Sequence, residues 1–299
     1  RRQKTKDPME QPTPIFDRFN RLKTGTPVGG GLLVIVVTSI LFSLLLPLVR
    51  FFGVNITSVY PLIDELNVLF FTFISFGLLG LYDDIMKFFG FEKTGFFGLR
   101  LRWKLGLQMI LALISALLMF INLKIDIFYI PFIGVFHLGW WFVPAAIFII
   151  VSFTNAVNIT DGLDGLAAGL LMVAIFALWV LSASILDTTL SMFLALWLGS
   201  TIAFLYFNVY PARIFLGDVG GLLLGKVMAL VIIGGIFVLE IGSSLLQLLS
   251  KKLLKRKLFP VSPIHLWLRL LGWEEPKIVM RAWLAGIMLA IFGVWLAVI

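Results

Sequence analysis

Cysteine is absent from this chain of 299 residues, so it can form no disulfide and no thiolate metal site. Histidine is nearly absent too, with only His137 and His265. Charged residues make up 13% of the chain and hydrophobic ones 60%. A water-soluble domain carries far more charge, so composition leaves an integral membrane protein. The apolar runs lack the polar–apolar alternation of a membrane barrel, which leaves helices and an all-α fold. No basic domain stands outside the membrane, so the net charge of +8 reads as basic loops and nucleic acid is excluded as a partner. There is no signal peptide, low-complexity tract or internal repeat. The chain opens on Arg1 without a Met, and the expectation is that its natural start lies upstream.

What is present is a series of apolar stretches, each near the roughly 20 residues that a bilayer-spanning helix requires. They begin near Val28, Leu66, Leu105, Trp140, Leu166, Leu190, Leu222 and Ala282. The reading is one polytopic membrane domain over 1–299, preceded by a cytoplasmic segment at 1–27. Arg1, Arg2, Lys4, Lys6, Arg18, Arg21 and Lys23 mark that segment as inside. Spans at 28–49, 66–82, 105–123, 140–154, 166–183 and 190–207 then alternate direction, with a short outside hairpin at 125–138 that holds His137. Three polar loops land on the cytoplasmic face: Asp83-Asp84, Asn155 to Asp164, and Asn208 to Asp218. The basic run Lys251–Lys257 and the segment around His265 also want the inside, which demands an extra crossing within 222–250. Those are about 29 residues, roughly 43 Å of helix, short for two full spans. Gly234-Gly235 is the best turn between a tight pair of short or tilted helices; the alternatives are that residues are missing from this chain within 222–250, or one long helix with the last loop outside. A last span covers 282–298, for about nine in all.

Four places carry chemistry. Asp83-Asp84, followed by Lys87, are adjacent carboxylates at a helix end, able to hold a Mg-phosphate or supply a base; the bland account is a solvated end with a salt bridge to Lys87. Asn155, Asn158, Asp161 and Asp164 recur every three residues, so they approach one face if helical. Gly162 and Gly165 allow a ligand close to the backbone. The amides suit a base or sugar and the carboxylates a ribose or metal. Capping of two helices is the plain alternative, yet it needs neither four polar residues nor three glycines. Asp218, between glycines ahead of an apolar helix, reads as a metal ligand or as a residue favoured by the helix dipole, with Phe215 ready to stack on a base. His265, among basic residues, reads as a phosphate-orienting or proton-transferring group, or as a merely structural histidine. Together these describe a cytoplasmic pocket for a nucleotide, Mg²⁺ and a substrate drawn from the bilayer, the requirements of phosphoryl transfer to a lipid.

Several strings resemble those of the polyprenyl-phosphate N-acetylhexosamine-1-phosphate transferases. They are K-T-G-T-P-V-G-G-G from Lys23, L-Y-D-D-I-M-K from Leu81, L-R-W-K from Leu101, N-A-V-N-I-T-D-G-L-D-G-L-A from Asn155, F-N-V-Y-P-A-R-I-F-L-G-D-V-G from Phe207, and P-I-H with G-W-E-E-P-K-I-V-M-R-A-W. They run in family order over nearly the whole chain, and the last string is similar to the muramoyl-pentapeptide branch. The resemblance implies UDP-N-acetylmuramoyl-pentapeptide and undecaprenyl phosphate as substrates, release of UMP in peptidoglycan synthesis at the bacterial plasma membrane, and dependence on Mg²⁺. It implies Asp83, Asp84, Asp218 and His265 as catalytic residues, with Asp218 also the metal ligand. It implies Lys23, Lys87, Asn155, Asn158, Asp161, Gly162, Leu163, Asp164, Asn208 and Phe215 as substrate-binding residues. A homodimer is implied as well, and ten helices, the first lying upstream of Arg1. The chain departs from the branch after His265: where P-I-H-H-H-F-E is expected, Leu266, Trp267 and Arg269 replace two His and an acid. That departure motivates two competing readings, a sibling enzyme for a simpler UDP-N-acetylhexosamine and a degenerate transferase or transporter. Buried Glu240 is the one mid-helix carboxylate that favours the last.

Overall fold

An apolar run in lipid has to satisfy its own backbone hydrogen bonds, and a helix does so within a single segment. A computed structural model, which describes residues 26–27, 29–89, 101–216 and 227–298, is accordingly almost all helical. The long helices are α1 (Gly30–Phe51), α2 (Leu62–Phe89), α3 (Leu101–Ile121), α4 (Phe142–Thr160), α5 (Leu166–Ser184) and α6 (Thr188–Asn208). They are followed by α7 (Val227–Ile233), α8 (Gly235–Leu253), α9 (Ile264–Leu270) and α10 (Glu275–Val298). Among the described residues seven helices are long and apolar enough to cross a membrane: α1 to α6 and α10. The protein is an all-α polytopic membrane protein.

Helix α5 is the centre of the bundle, with 61% of its span buried against 22% for α1. It packs on α6 and α10, while α4 packs on α3 and α8, and α1 on α6. Its inner stretch Ala167-Ala168-Gly169 is fully buried, which lets neighbouring backbones close in, as lipid-embedded helices need when packing rather than water exclusion holds them together. Phe73, Phe193 and Trp197 interlock edge to face at 5.1 Å across α2 and α6.

The expected 125–138 hairpin is present as β1 (Ile127–Ile130) paired antiparallel with β2 (Gly134–His137), and His137 lies 3.4 Å from Asp126 at its base. At the same end the loop after α1 is stitched to the α5–α6 turn. Thr188 N donates to Thr57 O at 2.9 Å, and Asp187 caps α6 by accepting from Leu190 N. Ser58 donates to Glu65. Tyr60, in that loop, has its phenol pushed above the ordinary value by burial and by the neighbouring Glu65 and Asp187 carboxylates.

Two expectations change. The hairpin of short helices with its turn at Gly234-Gly235 is a bend: Gly234 N donates to Leu230 O and Val238 N to Gly234 O, so α-type bonding passes through Gly234 and α7 continues into α8. One residue at φ −86°, ψ 19° cannot reverse a chain; it can only kink a helix. The expected span at 140–154 also stops too early, and that at 282–298 starts too late. α4 runs on through Asn155 and Asn158, and α10 starts at Glu275. Hydropathy ends at the first polar side chain, but a helix ends where its backbone bonds do, and Pro276 fits a first turn that needs no N–H partner.

Candidate functional site

The polar string of α4 ends in a tight helix–loop–helix. Asp161 N closes the last turn on Val157 O at 3.1 Å, and Gly165, at φ 78°, opens α5 in a left-handed conformation that a side chain would strain. Three elements then lock this loop. Glu275, at the start of α10, accepts from Asp164 N at 2.7 Å. Asn208, at the end of α6, accepts from Gly165 N at 3.2 Å, and Trp283 of α10 donates to Gly165 O at 3.1 Å. Asp164 in turn accepts from Ala212 N at 2.9 Å, tying the loop to the segment after α6.

Two residues expected to touch substrate are held inside the protein. Leu163 is 1% exposed and packs in the main apolar cluster, so its side chain anchors the loop from behind. Asn208 is fully buried, with Oδ1 on Gly165 N and Nδ2 on Ile214 O, so its amide ties two loops together. Neither role shows in sequence, because burial is set by helices distant along the chain.

His265 enters beside this loop. A Cβ at Gly162 would lie 2.4 Å from His265 Nε2, so that close approach requires glycine. The ring is held from behind: Nδ1 lies 2.9 Å from Glu240 Oε2, and His265 N donates to Glu240 Oε1 at 3.2 Å. The lone mid-helix carboxylate is thus the partner of His265. The residues after it turn away from the imidazole roles expected there. Leu266 is buried, Trp267 packs on Phe259 at 5.7 Å, and Arg269 donates to Glu275 Oε2 at 2.9 Å.

Asp83 is buried at the end of α2 and pairs with Lys104 at 3.2 Å. One turn further along α3, Gln108 accepts from Asn155 Nδ2 at 2.9 Å. Positions four apart share a helix face, so α3 is a spine that aligns Asp83 with the start of the Asn155–Asp164 string. Lys104 is thus a cation on Asp83 that lies beyond the Asp83–Lys87 string. Asp84 follows it, half-buried, and Asn158, Asp161 and Gly162 are half-buried at the end of α4. Phe215, half-buried, sits in a strand-like pairing: Phe215 N donates to Pro27 O at 3.0 Å and Gly31 N to Leu216 O at 2.7 Å. This brings Pro27 and Gly31 beside Phe215 and Leu216. Lys23, Asp218 and the side chain of Lys87 lie outside the described residues.

The helices therefore bring Asp83, Asn155, Asp161, Asp164 and His265 to one end of the bundle. Sequence reasoning missed Lys104, Gln108, Glu275 and Trp283, although L-R-W-K and G-W-E-E-P-K held Lys104 and Glu275. Among the described residues no three acidic or imidazole side chains converge on one point. Carboxylate oxygens in small number suit Mg²⁺, which takes one or two carboxylates and fills its shell with water and phosphate oxygens.

The sequence pattern of glycosyl transferase family 4 matches residues 66–236. Curated relatives are similar over most of their length. A phospho-N-acetylmuramoyl-pentapeptide-transferase of Acetivibrio thermocellus is 36% identical over 289 residues, 91% of this chain and 81% of the relative. Those of Oceanobacillus iheyensis and Bacillus subtilis are 35% and 34% identical, covering 92% and 94% of this chain and 85% and 86% of theirs.

Proposed function

Because this chain belongs to glycosyl transferase family 4 and is a phosphoglycosyl transferase of the type its relatives are named for, we propose that it moves phospho-N-acetylmuramoyl-pentapeptide from UDP to undecaprenyl phosphate. The products are a lipid-linked sugar diphosphate and UMP, and the setting is peptidoglycan synthesis at the cytoplasmic face of the bacterial plasma membrane. The observation that carries this reading is the locked 161–165 loop with His265 beside it, at the end of the bundle where Asp83 pairs with Lys104.

In this reading Asn155, Asn158, Asp161 and Gly162 bind the nucleotide and sugar, and Phe215 stacks on the base. Asp83 and Asp84 position the attacking phosphate, with Lys104 setting the local charge. Lys23 and Lys87 add positive charge for the phosphates. Asp218, with the Asp83-Asp84 pair, would hold Mg²⁺, which supplies the charge that offsets the diphosphate during transfer. The fold leaves helices facing lipid, so the second substrate reaches the site from the bilayer, and a second copy of the chain is the expected partner.

The test is UMP release by purified protein given Mg²⁺, undecaprenyl phosphate and UDP-N-acetylmuramoyl-pentapeptide. No release from any UDP-amino sugar would overturn the reading. A sibling specificity is favoured by one observation: Leu266 and Trp267 pack inward where the branch has imidazoles. UDP-N-acetylglucosamine assayed in parallel decides between the two substrates. Glu240, the one carboxylate that favoured the transporter reading, is engaged by His265, and normal turnover would eliminate that reading.

A further inference from the structure

We infer that Glu240 is a positioning residue for His265, holding the imidazole so that Nδ1 carries its proton and Nε2 is the nitrogen presented to the 161–165 loop. The inference rests on the proposed transferase reading for its kinetic consequence, though not for its geometry.

Both groups are withdrawn from solvent, His265 at 2% and Glu240 at 5% exposure. Both carboxylate oxygens are engaged, Oε1 by the His265 backbone N–H and Oε2 by Nδ1. The double contact fixes the position of α9's first turn as well as the ring plane. An ionised carboxylate only accepts hydrogen bonds, so the nitrogen facing it is the donor, and the tautomer follows. The opposite nitrogen, Nε2, lies over Gly162, where the close approach excludes any larger residue. A carboxylate behind an imidazole also stabilises the positive ring once Nε2 takes a proton, as when a hydroxyl or phosphate oxygen is the partner. Glu240 reaches the loop from α8, 25 positions earlier in the chain, so the bend at Gly234 that sets the course of α8 also sets this dyad. With Leu266 and Trp267 in place of further imidazoles, the whole of this function falls on one ring.

Having only two histidines makes the protein suited to direct observation. Long-range ¹⁵N–¹H spectra of histidine-labelled protein, with His137→Asn to assign the rings, are expected to show His265 protonated at Nδ1 and bare at Nε2 at neutral pH. Protonation at Nε2 instead, with Glu240 the donor, overturns the inference whether or not the protein turns over any substrate. In the UMP assay, Glu240→Leu is expected to lower kcat by at least about 100-fold, with KM for the UDP-sugar changed by less than about threefold. Glu240→Gln, which keeps one acceptor and the volume, is expected to recover at least about a tenth of the native rate. Adding Glu240→Leu to His265→Gln is expected to cost nothing further, because each removes the same unit. Multiplying losses, or a folded Glu240→Leu protein with native kcat, would show a merely structural pair. If the leucine variant fails to fold, the native spectrum and the glutamine variant decide. Absence of turnover by the native protein would defeat the transferase reading and leave the tautomer result intact.

Discussion

Arg269 and Glu275 face each other at 2.9 Å across the turn between α9 and α10, and the same carboxylate accepts from Asp164 N at 2.7 Å. One glutamate thus joins the altered segment after His265 to the 161–165 loop. Replacing Arg269 by an acid, the residue type expected from the branch, would set two carboxylates against each other. Arg269→Glu is expected to destabilise the protein by about 1–3 kcal/mol, and Glu275→Gln by about the same, since each leaves a buried group mispaired. Thermal unfolding followed by tryptophan fluorescence checks both. An unchanged midpoint for Glu275→Gln would show that the bridge does not hold the loop.

Gly162→Ala tests how tightly the loop and His265 fit. The new Cβ would fall 2.4 Å from Nε2, so the ring has to move while the apolar core is untouched. The expected result is a loss of activity of about 10-fold or more with a destabilisation of about 1–3 kcal/mol. Native turnover in the variant would mean that the ring position is not critical.

The Asp83–Lys104 pair makes a separate prediction about charge. Asp83→Asn is expected to abolish UMP release, and Lys104→Met to reduce it by about 10-fold or more while protein still accumulates in the membrane. A Lys104→Arg variant restoring most of the rate would show that charge, rather than lysine itself, is required.

Metal dependence follows from the carboxylate donor set. Chelation with EDTA is expected to stop UMP release, and Mg²⁺ to restore it more fully than Ca²⁺, which needs more oxygen ligands at longer distances than a site of few carboxylates offers. Asp218→Ala is expected to leave no detectable release at any Mg²⁺ concentration. Full activity in EDTA would exclude the proposed role of the metal.

Tyr60 predicts a pH effect at the opposite end of the bundle. Its raised phenol means the folded state favours the neutral form, so the contribution to stability is complete below the ordinary value of 10.0 and is lost as pH rises through the folded value. Ultraviolet titration is expected to show one phenol ionising later than the rest, absent in Tyr60→Phe.

Much of this was legible in one dimension. Scarce charge, long apolar runs and the spacing of basic loops marked a polytopic helical membrane protein, and the strings around Asp83, Asn155 and His265 marked the polar residues that the helices gather at one end of the bundle. Composition and short motifs act locally, and lipid leaves the backbone few choices, so such signals survive without coordinates. The number of crossings after Asn208 was not legible, because Gly234-Gly235 reads equally well as a turn or a kink; backbone bonds through Gly234 settle that it bends.

The sequence by itself determined the fold class, the polar strings and the loss of two imidazoles after His265. Only the tertiary structure decided that Glu240 stands behind His265, that Glu275 bridges Arg269 to Asp164, and that Asn208 and Leu163 brace a loop from within. The reason is distance along the chain: these partners lie on different helices, up to 111 positions apart, and no local pattern encodes which faces will meet.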